Sequence, residues 1–217
     1  MKKVGDDAPA KCPVQHDVDS RNQMPTLQQH PISLNQSASL STERVQSTIP
    51  RDENSTWDYP SPQQFYNALV RKGWETPEEH IESMVDIHNF LNEKAWEEVV
   101  KWERRVDGAT GIQLARFKGR PGELSPKARF FLFAGRVFPS KFSSDPPFDR
   151  HDWIVKRAKT GEEVRYVIDY YSLPDEPNGA PAFSLDVRPA LDSFSSIKER
   201  IAVAAEEGWA SFRQNQN

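Results

Sequence analysis

The aromatic residues of this chain are confined to the part that follows residue 56. All 6 Trp, 5 Tyr and 12 Phe residues lie at or after Trp57, whereas the first 50 residues are rich in Gln, Ser, Asn and Pro. Because so few apolar side chains can be buried there, burial cannot offset the entropy cost of ordering the backbone. The sequence therefore predicts a disordered arm over residues 1–50 and one compact domain over residues 51–217.

Composition excludes several classes of protein. The chain has 28 Lys and Arg against 32 Asp and Glu, which gives a formal net charge of -4. Proteins that bind nucleic acid usually have an excess of basic residues, so we expect no nucleic-acid partner. No apolar run approaches the ~18 residues of a membrane span, so any membrane contact must be peripheral. The single cysteine, Cys12, excludes an internal disulfide framework and a Cys-rich zinc site. The predicted domain thus has no thiol for nucleophilic catalysis.

The clearest helical pattern lies between residues 76 and 103. Thr76-Pro77-Glu78-Glu79 predicts a helix start, with Thr76 as N-cap, a proline at the first position and a glutamate that completes a capping box. The pattern that follows fits one long helix, or two helices if Asn92 caps a second one. At 100° per residue it has one apolar face, formed by Ile81, Met84, Val85, Leu91, Ala95, Trp96, Val99 and Trp102.

The second half of the chain predicts strands followed by a helix. Residues 163–171 and 183–188 alternate in polarity, and the Pro/Gly loop 173–181 between them allows antiparallel pairing. One side of the first strand would carry Val164, Tyr166, Ile168 and Tyr170. A closing helix would start at Asp192 or Ser193, with one face formed by Ile197, Ile201, Ala204 and Ala205. The fold class is therefore α+β, with an N-terminal helical block, a small antiparallel sheet and a C-terminal helix.

Two polar residues interrupt the apolar face of the predicted helix. His88 and Asn92 lie one turn apart, and burial of an imidazole or a carboxamide costs free energy unless each finds a partner. One interpretation is a hydrogen-bonded core histidine, and the other is an imidazole that faces a cavity as a ligand or base. The surrounding side chains would suit a large flat apolar ligand; they are Met84, Trp96, Trp102, Trp57 and Tyr59.

A further histidine lies in a charged segment, Phe148-Asp149-Arg150-His151-Asp152-Trp153. A carboxylate on each side offers His151 a partner for either ring nitrogen, which would make its charge state tunable. The same pattern also fits an ordinary surface loop with ion pairs. The remaining histidines lie in the predicted arm or in the acidic first turn of the helix, and we assign them no function.

Several ungapped blocks occur in the order of a known family. In the first half they are residues 57–65, Ile87-His88-Asn89, Asn92-Glu93, Ala95-Trp96 and Lys101-Trp102-Glu103. In the second half they are residues 148–153, 165–171 and 185–192. Together they cover residues 57–193 and resemble the holocytochrome c-type synthases, also called cytochrome c or c1 heme lyases.

The resemblance implies a lyase that attaches heme b covalently to apocytochrome c or c1. It would act in the mitochondrial intermembrane space, in peripheral contact with the inner membrane. Two thiols of a Cys-x-x-Cys-His segment in the apocytochrome would add across the heme vinyl groups, which fits a domain without its own cysteine. The alternative functions are a non-enzymatic heme carrier or sensor, and an interaction scaffold that binds no heme.

The resemblance also implies roles for individual residues. His88 would be an axial ligand of the heme iron, opposite the substrate histidine, so that iron fixes the porphyrin between two chains. Glu93 matches a carboxylate associated with the heme site. On a continuous helix it lies roughly 140° from His88, so it would face the iron only if the helix breaks near Asn92. Trp57 and Tyr59 match aromatic residues near the heme, one to cover the macrocycle and one to bind a propionate.

Other positions complete the predicted pocket, in which the elements surround one heme. Asn92 and Trp96 share the helix face of His88. His151 matches a second family histidine, either as a residue behind the heme contacts or as a base for the thiols, with a purely structural role as the alternative. Cys12-Pro13 resembles a heme regulatory motif that would hold heme transiently, or it is incidental. Candidate propionate partners, by charge alone, are Arg150, Arg165 and Arg188.

Overall fold

The structure is a computed structural model of the 217-residue chain. It describes residues 21, 28–33, 36–106, 111–120, 122–141, 145–177, 179–192, 196–198, 200–203, 205 and 209. Cys12 and most of the predicted arm therefore lie outside the described residues.

The first half of the described chain is a hairpin followed by helices. Two short antiparallel strands come first, β1 (Gln46–Pro50) and β2 (Thr56–Asp58). Helix α1 covers Pro62–Arg71, and a 3-10 turn at Glu78–His80 leads into the long helix α2, Ile81–Glu103. The described residues thus contain the predicted helical block, preceded by a hairpin that the sequence did not predict.

The second half forms a four-stranded antiparallel sheet in the order β3-β4-β5-β6. Its strands are β3 (Ile112–Gly119), β4 (Asp149–Arg157), β5 (Glu163–Leu173) and β6 (Ala182–Pro189). Helix α3, Pro126–Val137, is inserted between β3 and β4. This architecture confirms the α+β class and the antiparallel pairing of the last two strands.

One face of the sheet packs against α2 and forms the main core. Trp153 of β4 lies opposite Tyr166 of β5, and Ile168 lies opposite Val187 of β6. Because side chains alternate along a strand, this register brings residues of all four strands onto the same face. Helix α2 covers them with Leu91, Ala95, Trp96 and Val99. The predicted side of β5 is confirmed, since Val164, Tyr166, Ile168 and Tyr170 are all buried.

Helix α2 is one continuous helix of 23 residues, so Asn92 does not cap a second one. The predicted capping box at Thr76 is wrong, because neither the 3-10 turn nor α2 has a side-chain cap at its start. The carboxylate of Glu78 instead accepts hydrogen bonds from the backbone amides of Ser37 and Ala38, at 3.0 and 2.5 Å. A long-range contact therefore replaces the local cap and ties the segment before β1 to the helix.

The predicted boundary of the disordered arm, at residue 50, is too late in the chain. Residues 46–50 form β1, whose Ile49 is only 2% exposed in the main core. Leu40 is buried in a smaller cluster with residues of α1 and α2, such as Leu69 and Ile81. Few apolar residues precede position 51, but these few pack into cores that later segments supply. Composition alone does not reveal such a contribution.

The described residues of the C-terminal segment are helical, but the predicted face is wrong. Ile197 and Ile201 are exposed, whereas Ser196 and Val203 are buried. Ala204 lies outside the described residues. The helix therefore turns a small polar residue and a valine inward, and the apolar residues with the larger side chains do not define its buried face.

A buried ion pair joins the end of α2 to the sheet. The carboxylate of Glu103, which is fully buried, accepts hydrogen bonds from Nε and Nη2 of Arg157 at 2.6 and 3.0 Å. The hydroxyl of Tyr166 donates a third bond to it at 2.6 Å. Charge-assisted, bidentate bonds of this kind are strong, and removal of one partner leaves the other charge buried.

Replacement of Glu103 by Ala should lower the free energy of unfolding by about 3 kcal/mol, because Arg157 would stay buried with a weaker set of partners. As a control, Glu163→Ala breaks an ion pair with Arg116 whose side chains are exposed, and its cost should be less than about 1 kcal/mol. Chemical denaturation followed by circular dichroism measures both changes. Equal losses in the two variants would contradict the assigned difference.

Candidate functional site

His88 lies on the half of α2 that faces α1 and the end of the sheet. Its ring is half-buried and contacts Phe65 of α1, with 5.8 Å between the ring centroids. Nδ1 of His88 is 3.1 Å from Nδ2 of Asn92, one turn further along the helix. Because residues four apart are neighbours on a helix surface, Asn92 can fix the orientation of the imidazole through Nδ1. Nε2 is then the ring nitrogen that Asn92 does not contact.

His151 of β4 approaches the same place from the sheet. Its ring centroid is 6.3 Å from that of His88 and 5.2 Å from the ring of Tyr170 on β5. Nε2 of His151 is 3.1 Å from the carboxylate of Asp149. Asp152, the other carboxylate predicted as a partner, does not contact His151, because successive residues of a strand face opposite sides of the sheet.

These residues form a connected polar group, which we call the histidine cluster (His88, Asn92, Asp149, His151 and Tyr170). The hydroxyl of Tyr170 donates to Oδ1 of Asn92 at 3.3 Å and lies 3.5 Å from Nδ1 of His151. The sequence placed Tyr170 in the core and gave it no functional role. The informative signal was the hydroxyl of Tyr170 on the buried face of β5, since a buried hydroxyl usually has a partner.

Burial and neighbouring charges shift the pKa values of the histidine cluster, and they keep His88 uncharged near pH 7. Burial, and then the charge that His151 carries when it is protonated, lower the pKa of His88 to about 4, against the opposite effect of Asp149. Burial also raises the pKa of Tyr170, so this residue stays a phenol. Burial alone would raise the pKa of Asp149, but the hydrogen bond and charge of His151 and the backbone amide of Arg150 together outweigh it, and the pKa lies below its usual value. His88 is thus a neutral imidazole near pH 7, which is the form that binds metals.

The low pKa of His88 should make stability depend on pH. The pKa of a histidine is about 6.5 in an unfolded chain and about 4 at this position, so protonation favours the unfolded state. This contribution is fully present above about pH 6.5 and is lost as the pH falls toward about 4, with about 2 kcal/mol gone at about pH 5. Urea unfolding at about pH 7.5 and about pH 5 should show this loss in the wild type and a smaller loss in His88→Gln. His80→Gln, at an exposed histidine, should behave as the wild type does, and an equal pH dependence in His88→Gln would contradict the assignment.

Glu93 lies outside the histidine cluster. Since α2 is continuous, Glu93 lies roughly 140° from His88 around the helix, and its carboxylate accepts hydrogen bonds from the backbone amide of Thr48 at 3.0 Å and from the Thr48 hydroxyl. The hydroxyl of Tyr59 also donates to it, at 2.9 Å. Burial, and then the hydrogen bond to Glu93, raise the pKa of Tyr59. Glu93 therefore joins the β1-β2 hairpin to α2.

Two of the three tryptophans predicted near a ligand, Trp57 and Trp96, are part of the main core. Trp57 donates from its indole nitrogen to the carbonyl oxygen of Leu114 at 2.8 Å, and its ring meets Phe117 edge-on. Trp96 is 7% exposed among the side chains between α2 and the sheet. The structure thus separates these rings from the polar contacts of His88, and their role in ligand binding stays a prediction.

The three candidate arginines lie on the opposite face of the sheet from His88. Arg188 bonds to the buried Asp169 at 2.7 Å, while Arg150 and Arg165 both pair with the buried Asp152, at 2.9 and 3.0 Å. Each guanidinium is therefore committed to an ion pair away from the histidine cluster. Among the described residues, no three His, Cys, Asp or Glu side chains are grouped to hold a metal ion. No helix in this part of the chain is both long enough and apolar enough to cross a membrane.

Comparison with known proteins identifies the class. The family model described as cytochrome c/c1 heme lyase matches residues 3–113 and 109–204. The chain is 46% identical over 213 residues to the holocytochrome-c synthase of Saccharomyces cerevisiae, which covers 88% of this chain and 79% of the yeast protein. It is 41% identical over 209 residues to the holocytochrome c-type synthase of Homo sapiens, covering 89% and 74%. A putative holocytochrome-c1 synthase of Schizosaccharomyces pombe is 41% identical over 161 residues, covering 70% and 69%. No solved structure matches the chain.

A lyase is the class of enzyme that these matches define. The chain belongs to the cytochrome c/c1 heme lyase family.

Proposed function

We propose that this lyase attaches heme to apocytochrome c or c1 through thioether bonds to the two cysteines of a Cys-x-x-Cys-His segment. In each bond the thiol sulfur joins one carbon of a heme vinyl group and a proton joins the other carbon, so no oxidant or reductant is consumed. Heme and apocytochrome are both substrates. Family membership supports the heme and cytochrome parts of the proposal, and the lone Cys12 of this chain fits thiols that come from the substrate.

The observation that carries the proposal is the state of His88. It is a neutral imidazole, half-buried, held at Nδ1 by Asn92 and packed between Phe65 and His151. A porphyrin supplies four of the ligands of its iron, so one protein imidazole completes one axial position. His88 would then hold heme in a fixed orientation while the substrate histidine takes the other axial position. Catalysis in this proposal comes mainly from proximity and orientation.

The other proposed site residues support His88 in different ways. Both ring nitrogens of His151 have protein groups close by, Tyr170 and Asp149, which favours a role in positioning His88 over that of a base for the thiols. Glu93, through its bond to Tyr59, would hold the hairpin against α2 and so keep the helix in place. Trp57 and Trp96 would form a rigid apolar wall behind the site, and Cys12-Pro13 would hold heme transiently before transfer.

Replacement of His88 by Ala should abolish the heme that stays with cytochrome on a denaturing gel, because the porphyrin loses its fixed orientation. His80→Ala removes an exposed histidine directly before the first residue of α2, and it should leave covalent heme attachment unchanged. Full activity of His88→Ala would remove the axial-ligand assignment.

The pyridine hemochrome spectrum of the product separates the competing functions. A mixture of ferrous heme, an apocytochrome peptide and this chain should give the band position of heme with two thioethers. Bound heme with an unshifted band would indicate a carrier or sensor, and a Soret band unchanged from that of free heme would indicate a scaffold.

We further propose a mitochondrial location, in the intermembrane space and in peripheral contact with the inner membrane. The surface of α3 supports the membrane contact. Phe130, Phe133 and Val137 are 62%, 68% and 52% exposed, and their i, i+3, i+7 spacing places them on one face of the helix. Basic residues flank this face, and residues 125–141 contain no acidic residue although the chain as a whole is acidic. Exposed aromatic residues beside basic ones are typical of helices that lie in an anionic membrane interface.

The double variant Phe130→Ser/Phe133→Ser should lose binding to vesicles that contain anionic phospholipid, by about tenfold or more, because two aromatic rings no longer enter the interface. Vesicle flotation with zwitterionic and anionic lipid measures this binding. Trp74→Ser removes a similarly exposed aromatic residue outside α3 and should bind as the wild type does. Wild-type binding by the folded double variant would contradict the assignment of this surface.

A further inference from the structure

Asn92 lies where it can determine which nitrogen of His88 is free. Its side chain is only 7% exposed, with Nδ2 at 3.1 Å from Nδ1 of His88 and Oδ1 at 3.3 Å from the hydroxyl of Tyr170. A carboxamide carries a donor at one end and an acceptor at the other, and a half-turn about its terminal bond exchanges them. The hydroxyl of Tyr170 fits both orientations, because a hydroxyl both donates and accepts.

The orientation of the amide fixes the tautomer of His88. In the structure Nδ2 faces Nδ1, so that Asn92 donates, Nδ1 accepts, and neutral His88 carries its proton on Nε2. A nitrogen that carries a proton has no lone pair for iron. With the amide turned, Oδ1 accepts a proton that is held on Nδ1, and Nε2 has a free lone pair. The two states hold the same number of protons, because the proton that leaves Nε2 is matched by one that arrives at Nδ1.

The rest of the histidine cluster accommodates the turned state. Nδ2 of Asn92 would then donate to the oxygen of Tyr170, and the Tyr170 proton would be directed to Nδ1 of His151, 3.5 Å away, in the neutral form of His151 that carries its proton on Nε2. Nε2 of His151 already faces the carboxylate of Asp149, which can only accept. Each donor in the histidine cluster therefore keeps an acceptor, so rotation of the Asn92 amide leaves no buried polar group of the cluster without a partner.

We propose that Asn92 and Tyr170 are positioning residues that set the tautomer of His88 and so the strength of its bond to the heme iron. The inference rests on the proposed role of His88 as an axial ligand. A carboxylate partner raises the basicity of a ligating histidine more than a neutral amide does. An amide at position 92 thus gives a weaker axial bond, which suits an enzyme whose heme must leave with the product.

Substitutions at position 92 test the proposal, with heme bound to the full chain as the probe. Asn92→Asp presents only acceptors to Nδ1, and it should lower the midpoint potential of the bound heme and slow its release. Asn92→Leu removes the partner at similar volume, and it should weaken heme binding by about tenfold or more and raise the midpoint potential. A purely structural role of Asn92 would shift both variants in the same direction. Tyr170→Phe should shift the potential in the same direction as Asn92→Leu, by a smaller amount.

Asn89→Asp is the matched control. It adds the same carboxylate on the same helix, next to His88, at a residue whose Oδ1 has no hydrogen-bond partner. A shift in Asn89→Asp equal to that in Asn92→Asp would show that charge alone is responsible and would overturn the proposal. If circular dichroism shows that Asn92→Asp does not fold, the opposite shifts of Asn92→Asp and Asn92→Leu cannot be compared. In that case an unchanged midpoint potential in both Asn92→Leu and Tyr170→Phe overturns the proposal.

His88→Ala separates this inference from the proposed function. If that variant binds heme with the wild-type absorption spectrum, His88 is not the ligand and the proposed function loses its central residue. If His88→Ala loses the spectrum of histidine-bound heme while the variants of Asn92 and Tyr170 keep the wild-type potential, only the tautomer assignment fails.

Discussion

The structure depends on how helix α2 is held against the sheet. Near its C-terminal end, Glu103 is clamped by Arg157 and Tyr166. Toward its N-terminal half, His88 and Asn92 meet residues of two strands, about 22 Å away along the helix axis at 1.5 Å per residue. Apolar contacts between these two points supply most of the burial, but they are non-directional. The polar contacts at the two ends fix the rotation of the helix about its axis, and with it the direction of His88.

The side chains around His88 are held by regular secondary structure and not by a loop. The histidine cluster takes two members from α2, two from β4 and one from β5, all of them held by regular hydrogen bonding of their elements. Chemistry that relies on orientation needs such rigidity, because small displacements of a reactive group weaken catalysis strongly. The same packing explains the low pKa of His88, since it removes part of the imidazole from water.

Periodicity predicted the elements whose two faces differ most in polarity. The buried side of β5 was correct, as was the apolar face of α2 except for Met84, which is exposed, and the angle of roughly 140° placed Glu93 away from His88. Strand β4 was missed because Arg150 and Asp152 are buried in ion pairs on the second face, so its sequence lacks polar alternation. The alternation of side chains along a strand also decides which carboxylate pairs with His151: Asp149 lies on the same face and Asp152 on the other. The local cap at Thr76 and the late arm boundary failed for a shared reason, since contacts with residues 36–50 replaced local structure.

The two faces of β4 serve separate purposes within a few residues. Odd-numbered residues such as His151 face α2, and even-numbered ones such as Asp152 join the ionic network on the far side. An insertion of one residue within this strand would therefore bring a guanidinium under the helix and expel the imidazole, so that both layers are lost together. Length variation in this enzyme should consequently be tolerated between the strands, for example in the loops around α3, and not inside β4.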